Sequence, residues 1–297
     1  LTDRQVRPVV VIHAGAGAHS RVLREREADC RDALMEALAA AQSALPDGAF
    51  RAVEAATVVM ENFELFNAGR GSVLCSDGSV EMSAALMRGT DQAAGAVAGL
   101  RHSENPILAA HAILDSPQVL VLGPPAEERA ARAGVAQEPN EYFITDRQRA
   151  RLREVTEGPA EPDLDRATVG AVCLDSEGTL AAATSTGGIR NQPPGRVGDC
   201  PIIGAGTWAD RWAAVSCTGD GEAFIRCAVA REVAALVRDG AELHRAADQA
   251  LEQVTALQAS GGLIAVDAEG NTAMPFFTQA MPRGLCRPGE QPQVWIP

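Results

Sequence analysis

The chain has 297 residues and a mass of 31.0 kDa, with 26 basic against 39 acidic side chains and a net charge of −13. None of those basic residues is lysine, which excludes a Walker-type phosphate loop, a lysine Schiff base and a Ser–Lys dyad. The acidic balance and an aromatic content of 4% argue against nucleic acid as a partner, and no apolar run approaches the ~20 residues that span a bilayer.

In chain order, residues 7–13 form a short apolar run that opens onto Ala14-Gly15-Ala16-Gly17, predicting a buried strand followed by a backbone-rich loop. Over 25–44, Cys30, Leu34, Leu38 and Ala41 recur at helical spacing; Pro46-Asp47-Gly48 ends that helix, and a second covers 50–61. A polar-glycine turn, Leu65 to Gly71, precedes strands at 80–87 and 94–100. Helices at 106–114 and 126–133 flank a strand at 119–122. Residues 140–155 read as one charged helical arm, and 156–167, which contains TEGPAEPDLD, as a mobile linker. Beyond it, strands at 168–174 and 180–186 are joined by Asp175-Ser176-Glu177-Gly178, a hairpin signal. A strand at 215–218 leads into a single helix over 221–238, with Ile225, Val229, Val233 and Leu236 facing inward. A helix at 241–257 follows, and 262–266 with 271–276 close the chain as a last hairpin. Strands in runs and helices in pairs favour sheet-on-sheet layers flanked by helices over a doubly wound parallel sheet. Seven cysteines, odd in number and without a CxxC pair, predict reduced thiols and a cytoplasmic protein. No charged leader followed by a long apolar core is visible at the N-terminal end.

The sharpest feature is Thr168, between an acidic linker and a buried strand. A cut between Ala167 and Thr168 would give Thr168 a free α-amine, with a pKa of about 7.7–8.0, beside its own hydroxyl. An N-terminal threonine is thereby both nucleophile and base. On spacing alone, a threonine that starts a strand is ordinarily structural. The surrounding blocks alter that reading. DRATVGAVCLDSEGTLAAATSTGG, PGRVGD, AVSCTGDGE, IHAGAG and LFNAGRGSV occur in an order that resembles the plant-type L-asparaginase/isoaspartyl aminopeptidase family of N-terminal-nucleophile (Ntn) hydrolases, over nearly the whole chain.

That resemblance implies an α+β fold, a four-layer αββα sandwich, and an enzyme that cleaves β-aspartyl dipeptides and the side-chain amide of L-asparagine. It also implies self-cleavage into 1–167 and 168–297, which stay together as one domain. Thr168 would be the nucleophile, with Thr186 beside it, and Thr218 with the Gly219 N–H would face the oxyanion. Arg196 and Asp199 would grip the amino-acid head group, with Gly221 as a backbone contact and Asn67 near the nucleophile. The backbone carbonyls of Glu61, Phe63, Phe66, Ala68 and Arg70 would hold a structural sodium ion, with no cofactor needed for catalysis. A homodimer of processed units is implied as well. Glycosylasparaginase and threonine aspartase share the nucleophile logic but fit PGRVGD and FNAGRG less well. Apart from the resemblance, Thr186 and Thr218 read as ordinary strand threonines and Arg196–Asp199 as a surface pair. His13 reads as a buried, hydrogen-bonded loop residue, and Cys217 as core.

The chain departs from the family pattern in several places. Ala167 replaces a glycine at the scissile bond, and its Cβ points to slower cleavage or a different local conformation. Ala14 replaces a glycine in the opening loop, and Glu81-Met82-Ser83 lacks an aspartate. Asp220 is expected beside the head-group site, where its charge would favour a basic leaving group. Two rivals follow: a cleavage-defective homologue that binds an acidic amino acid or peptide without turnover, and a dinucleotide-binding enzyme on the Gly15-Ala16-Gly17 turn. The second lacks the third glycine of its fingerprint.

Overall fold

The structure is a computed structural model that describes residues 6–158 and 168–297. The strands are β1 (Val9–His13), β2 (Met82–Arg88), β3 (Ala94–Leu100), β4 (Leu120–Leu122), β5 (Val169–Leu174), β6 (Leu180–Thr186), β7 (Thr207–Ala209), β8 (Ala213–Gly219), β9 (Gly261–Asp267), β10 (Thr272–Ala273), β11 (Arg283–Cys286) and β12 (Gln293–Trp295). The helices are α1 (Arg21–Glu25), α2 (Glu27–Ala44), α3 (Ala49–Asn62), α4 (Pro106–Leu114), α5 (Pro124–Arg132), α6 (Asn140–Phe143), α7 (Asp146–Glu157), α8 (Gly221–Cys227), α9 (Val229–Arg238) and α10 (Leu243–Ala256). Among the described residues they build an eight-stranded sheet, ordered β12-β11-β1-β5-β6-β2-β3-β4, and a four-stranded sheet, ordered β10-β9-β8-β7.

Alternation along the strands creates the layers, because successive side chains point to opposite faces. Val10 and Ile12 of β1, with Ala171 and Cys173 of β5, pack beneath α2 and α3. Their neighbours Val9, Val11, Val172 and Leu174 point the other way and meet Ala214, Ile264 and Val266 of the smaller sheet. On that sheet's far face, Val215, Cys217, Leu263 and Ala265 pack against α9 and α10. The result is the four-layer αββα sandwich, an α+β fold. A strand buried on both faces needs apolar residues at every position, which explains why 9–12 and 169–174 read as unbroken apolar runs.

Four expectations are corrected. The helix expected over 221–238 is two helices, broken at Ala228 in the left-handed region at φ 48°. The break lets the first N–H groups of α9 bond carbonyls of the distant 204–205 turn: Ala230 N to Ala205 O at 3.1 Å and Arg231 N to Gly204 O at 2.9 Å. It also shifts the helical phase, so Phe224 is buried while Ile225 and Leu236 are half-buried. The charged arm at 140–155 is likewise α6 and α7, because the Thr145 hydroxyl caps a new helix at Gln148 N (3.2 Å). The hairpin at 271–276 does not close the fold: β11 pairs with β1 and β12 with β11, extending the larger sheet. Finally, Thr156 and Glu157 belong to α7, while 159–167, including Ala167, lie outside the described residues. All seven cysteines are free thiols. Among the described residues no helix is long and apolar enough to cross a membrane.

Candidate active site

The register of β5 and β6 builds the first part of the site. Val169 pairs with Ser185 and Gly170 with Thr184, which sets Thr168, just ahead of β5, beside Thr186 at the end of β6. The Thr168 hydroxyl donates to Thr186 Oγ1 at 3.2 Å, and Thr186 Oγ1 also accepts the Gly188 N–H at 3.0 Å. Thr168 is 5% exposed, at the rim of the buried sheet. Asn67 clips this corner together: its amide donates to Gly188 O at 2.7 Å, its Oδ1 accepts the Val73 N–H at 2.9 Å, and its backbone carbonyl accepts the Gly187 N–H at 3.1 Å. A Cβ on Gly187 would stand 2.6 Å from Asn67 Oδ1, so glycine is what lets the two turns close on each other.

The second part comes from the facing sheet. Ser216 and Thr218 lie two apart on β8 and therefore share the face that looks across at β5. Ser216 meets Gly170 across the gap, and Thr218 stands one step nearer the Thr168 end, where its Oγ1 accepts the Ala16 N–H at 3.1 Å. With that acceptor site used, the Thr218 O–H remains a donor. A Cβ on Gly219, at φ 144°, would stand 2.5 Å from Ser260 O.

Beneath these threonines runs a chain of buried hydroxyls that the sequence does not reveal. His13 Nε2 lies 3.0 Å from Ser216 Oγ, Ser216 2.8 Å from Thr184, and Thr207 2.7 Å from Thr184. Burial lowers the His13 pKa to about 3, against a hydrogen bond with the Thr168 backbone, so the ring is neutral. Its Nδ1 accepts the Gly15 N–H at 3.3 Å, which leaves Nε2 to donate to Ser216. His13 is buried and hydrogen-bonded as expected, but it is the last residue of β1 and not a loop residue. Only glycine fits opposite this chain, because a Cβ on Gly170 would collide with Ser216 Oγ and stand 2.5 Å from His13 Nε2. Gly170→Ala is therefore expected to destabilise the fold by about 1–3 kcal/mol, the usual range for overpacking. An unchanged chemical-denaturation midpoint would contradict this.

The head-group candidates lie close together but do not form the surface pair of the alternative reading. Arg196 does not bond Asp199; its Nε and Nη2 meet Glu222 Oε1 and Oε2 at 3.0 and 2.9 Å. Both expected residues nevertheless converge on Gly221, where a Cβ would stand 2.9 Å from Arg196 Nη2 and from Asp199 Oδ1. Asp199 is buried, and its Oδ2 has no hydrogen-bond partner among the described residues. Burial pushes its carboxyl up to about 7; Arg196 pulls it down and Glu222 pushes it further up. Asp220 has its Oδ2 committed to the Ser260 N–H at 2.8 Å, so this oxygen serves a turn rather than facing a ligand.

The turn after α3 is where the resemblance expects an oxygen-bound cation. A Cβ on Gly69 would collide with the Glu61 carbonyl and one on Gly71 with the Phe66 carbonyl, so the chain wraps tightly around its own oxygens. The Phe63 and Ala68 carbonyls each accept one N–H, from Phe66 and Gly71, and keep a second lone pair. Arg70 turns its guanidinium over the Tyr142 ring, 5.1 Å from the centroid. The Glu61 side chain has a separate use: its Oε1 accepts the Ser185 hydroxyl at 2.6 Å and the Ile107 N–H at 2.9 Å, and burial raises its pKa to about 8. No group of three or more His, Cys, Asp or Glu among the described residues is placed to hold a metal ion. Burial also raises the Cys200 and Cys217 thiols well above their ordinary range, which makes them poor nucleophiles.

Residues 6–296 match the protein family described as Asparaginase. An isoaspartyl peptidase from Escherichia coli K12 is 41% identical, over 97% of this chain and 95% of the relative. An isoaspartyl peptidase/L-asparaginase from Bos taurus is 39% identical over 95% and 94% of the two chains. A probable isoaspartyl peptidase/L-asparaginase 2 from Arabidopsis thaliana is 36% identical over 93% and 94%.

Proposed function

Since the chain belongs to the asparaginase family, we propose that it is a hydrolase that cleaves β-aspartyl (isoaspartyl) dipeptides and the side-chain amide of L-asparagine, with Thr168 as nucleophile. The observation that carries the reading is the Thr168 hydroxyl, held 3.2 Å from that of Thr186 at the mouth of a buried strand.

In the proposed maturation, Thr168 Oγ attacks the Ala167 carbonyl and the C–N bond breaks. Water then cleaves the resulting ester and leaves Thr168 with a free amine. The sheet topology supports a processed pair that stays together as one domain. β1 and β2 from the first piece pair with β5 and β6 from the second, so both pieces share one hydrogen-bonded ladder. In turnover the amine takes the hydroxyl proton as Oγ attacks the substrate carbonyl, and the leaving amine then receives that proton. The developing oxyanion meets the Thr218 O–H and the Gly219 N–H; a preorganised donor of this kind is worth about 2.7–4 kcal/mol. Water releases aspartate from the acyl-enzyme. Arg196 offers a planar fork for the α-carboxylate and Asp199 a carboxylate for the α-ammonium, a head group common to both substrate types. β-Aspartyl dipeptides rank first. The same reading includes a homodimer and a sodium ion on the carbonyls of Glu61, Phe63, Phe66, Ala68 and Arg70, both resting on the resemblance. It also includes a cytoplasmic location, which the free cysteines support.

Intact-mass measurement and assay of β-Asp-Leu test the proposal together. Two fragments meeting at 167/168, with aspartate released, are expected. One stable chain, inert after long incubation, would overturn it and leave a protein that binds an acidic amino acid or peptide without turnover.

A further inference from the structure

The Arg196 fork already holds a carboxylate. Glu222 meets it side-on with both oxygens, at 3.0 Å from Nε and 2.9 Å from Nη2, the planar arrangement that an amino-acid carboxylate would use. Among the described residues, Nη1 reaches Gln192 Oε1 only at 3.5 Å, and that oxygen already accepts the Ile189 N–H at 3.0 Å. The other side of the guanidinium lies against Gly198, where a Cβ would stand 2.8 Å from Nη1. The two partners differ in their access to water, since the Arg196 side chain is 12% exposed and that of Glu222 is 64% exposed.

We infer that Glu222 is a resident counter-ion of Arg196 that an incoming α-carboxylate displaces, and that it sets the affinity of the site for substrate and for aspartate. The inference rests on the reading of Arg196 as the α-carboxylate ligand. Exchange suits this geometry. Arg196, which is nearly buried, keeps a bidentate carboxylate throughout, and Glu222 moves from one hydrogen-bonded state into water. Glu222 is the exposed partner, so water competes for its carboxylate and the occupant can leave. A ligand without an α-carboxylate offers nothing to replace Glu222 and leaves the fork filled. Glu222 also sets a negative charge near Arg196 and Asp199 in the unliganded site, and pushes the Asp199 carboxyl further up. That field opposes an anionic group until Glu222 swings away. Glu222 is thus a positioning residue: it acts through Arg196 and touches no reacting atom.

The test is calorimetric titration of L-aspartate into the processed enzyme and its Glu222→Gln, Glu222→Ala and Arg196→Ala variants, with steady-state kinetics on β-Asp-Leu. Both Glu222 variants are expected to bind aspartate about two- to fivefold more tightly, the range of a weak ion pair with one partner in water. KM should fall by a similar factor while kcat changes less than twofold. A merely structural Glu222 would give weaker binding or lower kcat instead. Aspartate affinity that is unchanged or weaker in both Glu222 variants overturns the inference. Arg196→Ala separates this from failure of the underlying reading: it should weaken aspartate binding at least tenfold, and unchanged affinity there removes Arg196 from the site.

Discussion

Thr168→Ala is expected to leave a single 31.0 kDa chain and to lower kcat/KM for β-aspartyl dipeptides by roughly 10,000-fold or more. One atom, Thr168 Oγ1, is asked to act twice: first on the carbonyl before it, then on the substrate. Removing it leaves only binding and the oxyanion donors, so cleavage and turnover should disappear together. The fold should survive. Thr186 Oγ1 keeps the Gly188 N–H, and Asn67 still fastens the Gly187-Gly188 turn. The loss of stability should stay within about 1–2 kcal/mol. Thr168→Ser separates chemistry from packing, because it retains the hydroxyl and lacks only the methyl; it should still cleave itself and retain measurable turnover. Intact mass, aspartate release and the urea midpoint distinguish the outcomes. A Thr168→Ala protein that keeps more than a hundredth of the wild-type rate would remove Thr168 from the mechanism.

The contrast between Thr168 and Glu222 shows what a sequence exposes. Thr168 sits at a composition boundary, with an acidic Pro-rich stretch before it and an apolar run after it, and the blocks around it carry the resemblance. Its partner Thr186 follows from the hairpin, since two strands joined at 175–178 put their far ends side by side. Local spacing thus puts the two residues side by side, while the resemblance alone gives them their roles. Glu222 meets Arg196 from 26 positions away, and nothing in TGDGE marks its carboxylate as turned back towards PGRVGD. The one available signal was charge arithmetic: an arginine with two acidic neighbours in the same motif set has a choice of partner. The hydroxyl chain under the site was hidden for a similar reason. His13, Thr184, Thr207 and Ser216 come from four strands in two sheets, and only the sheet-on-sheet packing brings them within hydrogen-bond reach. The long strands of the two central layers were readable because burial on both faces demands apolar runs. β7, β11 and β12 were missed because they are only three or four residues long and lie among prolines and glycines. The break at Ala228 was missed because carbonyls of the 204–205 turn, far away in sequence, supply what a continuous helix would have supplied itself.

Asp199→Asn is expected to lower kcat/KM by roughly 30- to 1000-fold, the effect of removing one partner from a buried charge pair, about 2–4 kcal/mol. It should also change the shape of the pH profile. In the free protein, burial holds the Asp199 proton up to about pH 7. The α-ammonium of a substrate needs the ionised carboxylate, and the Thr168 amine must be unprotonated to act as base, with a pKa of about 7.7–8.0. Two protons must therefore be lost, and log kcat/KM should fall below pH 7 with a slope approaching two. In Asp199→Asn only the amine titrates, so the slope should approach one. The limb in kcat should lie at lower pH, because a bound ammonium beside Asp199 favours its charged form. Stability runs the opposite way. The folded pKa is raised above the ordinary value of 3.8, so between about pH 4 and 7 the unfolded chain gives up a proton that the folded chain keeps. The contribution of this group is fully present below pH 4 and is lost as the pH rises through 7. The substituted amide carries no such proton, so the variant should lose less stability than wild type between about pH 4 and 8 while it loses activity. The site is thus most reactive in the protonation state that the fold favours least. Equal slopes in the two profiles would detach Asp199 from the substrate ammonium, and parallel stability losses in urea at about pH 5 and pH 8 would contradict its raised pKa in the fold.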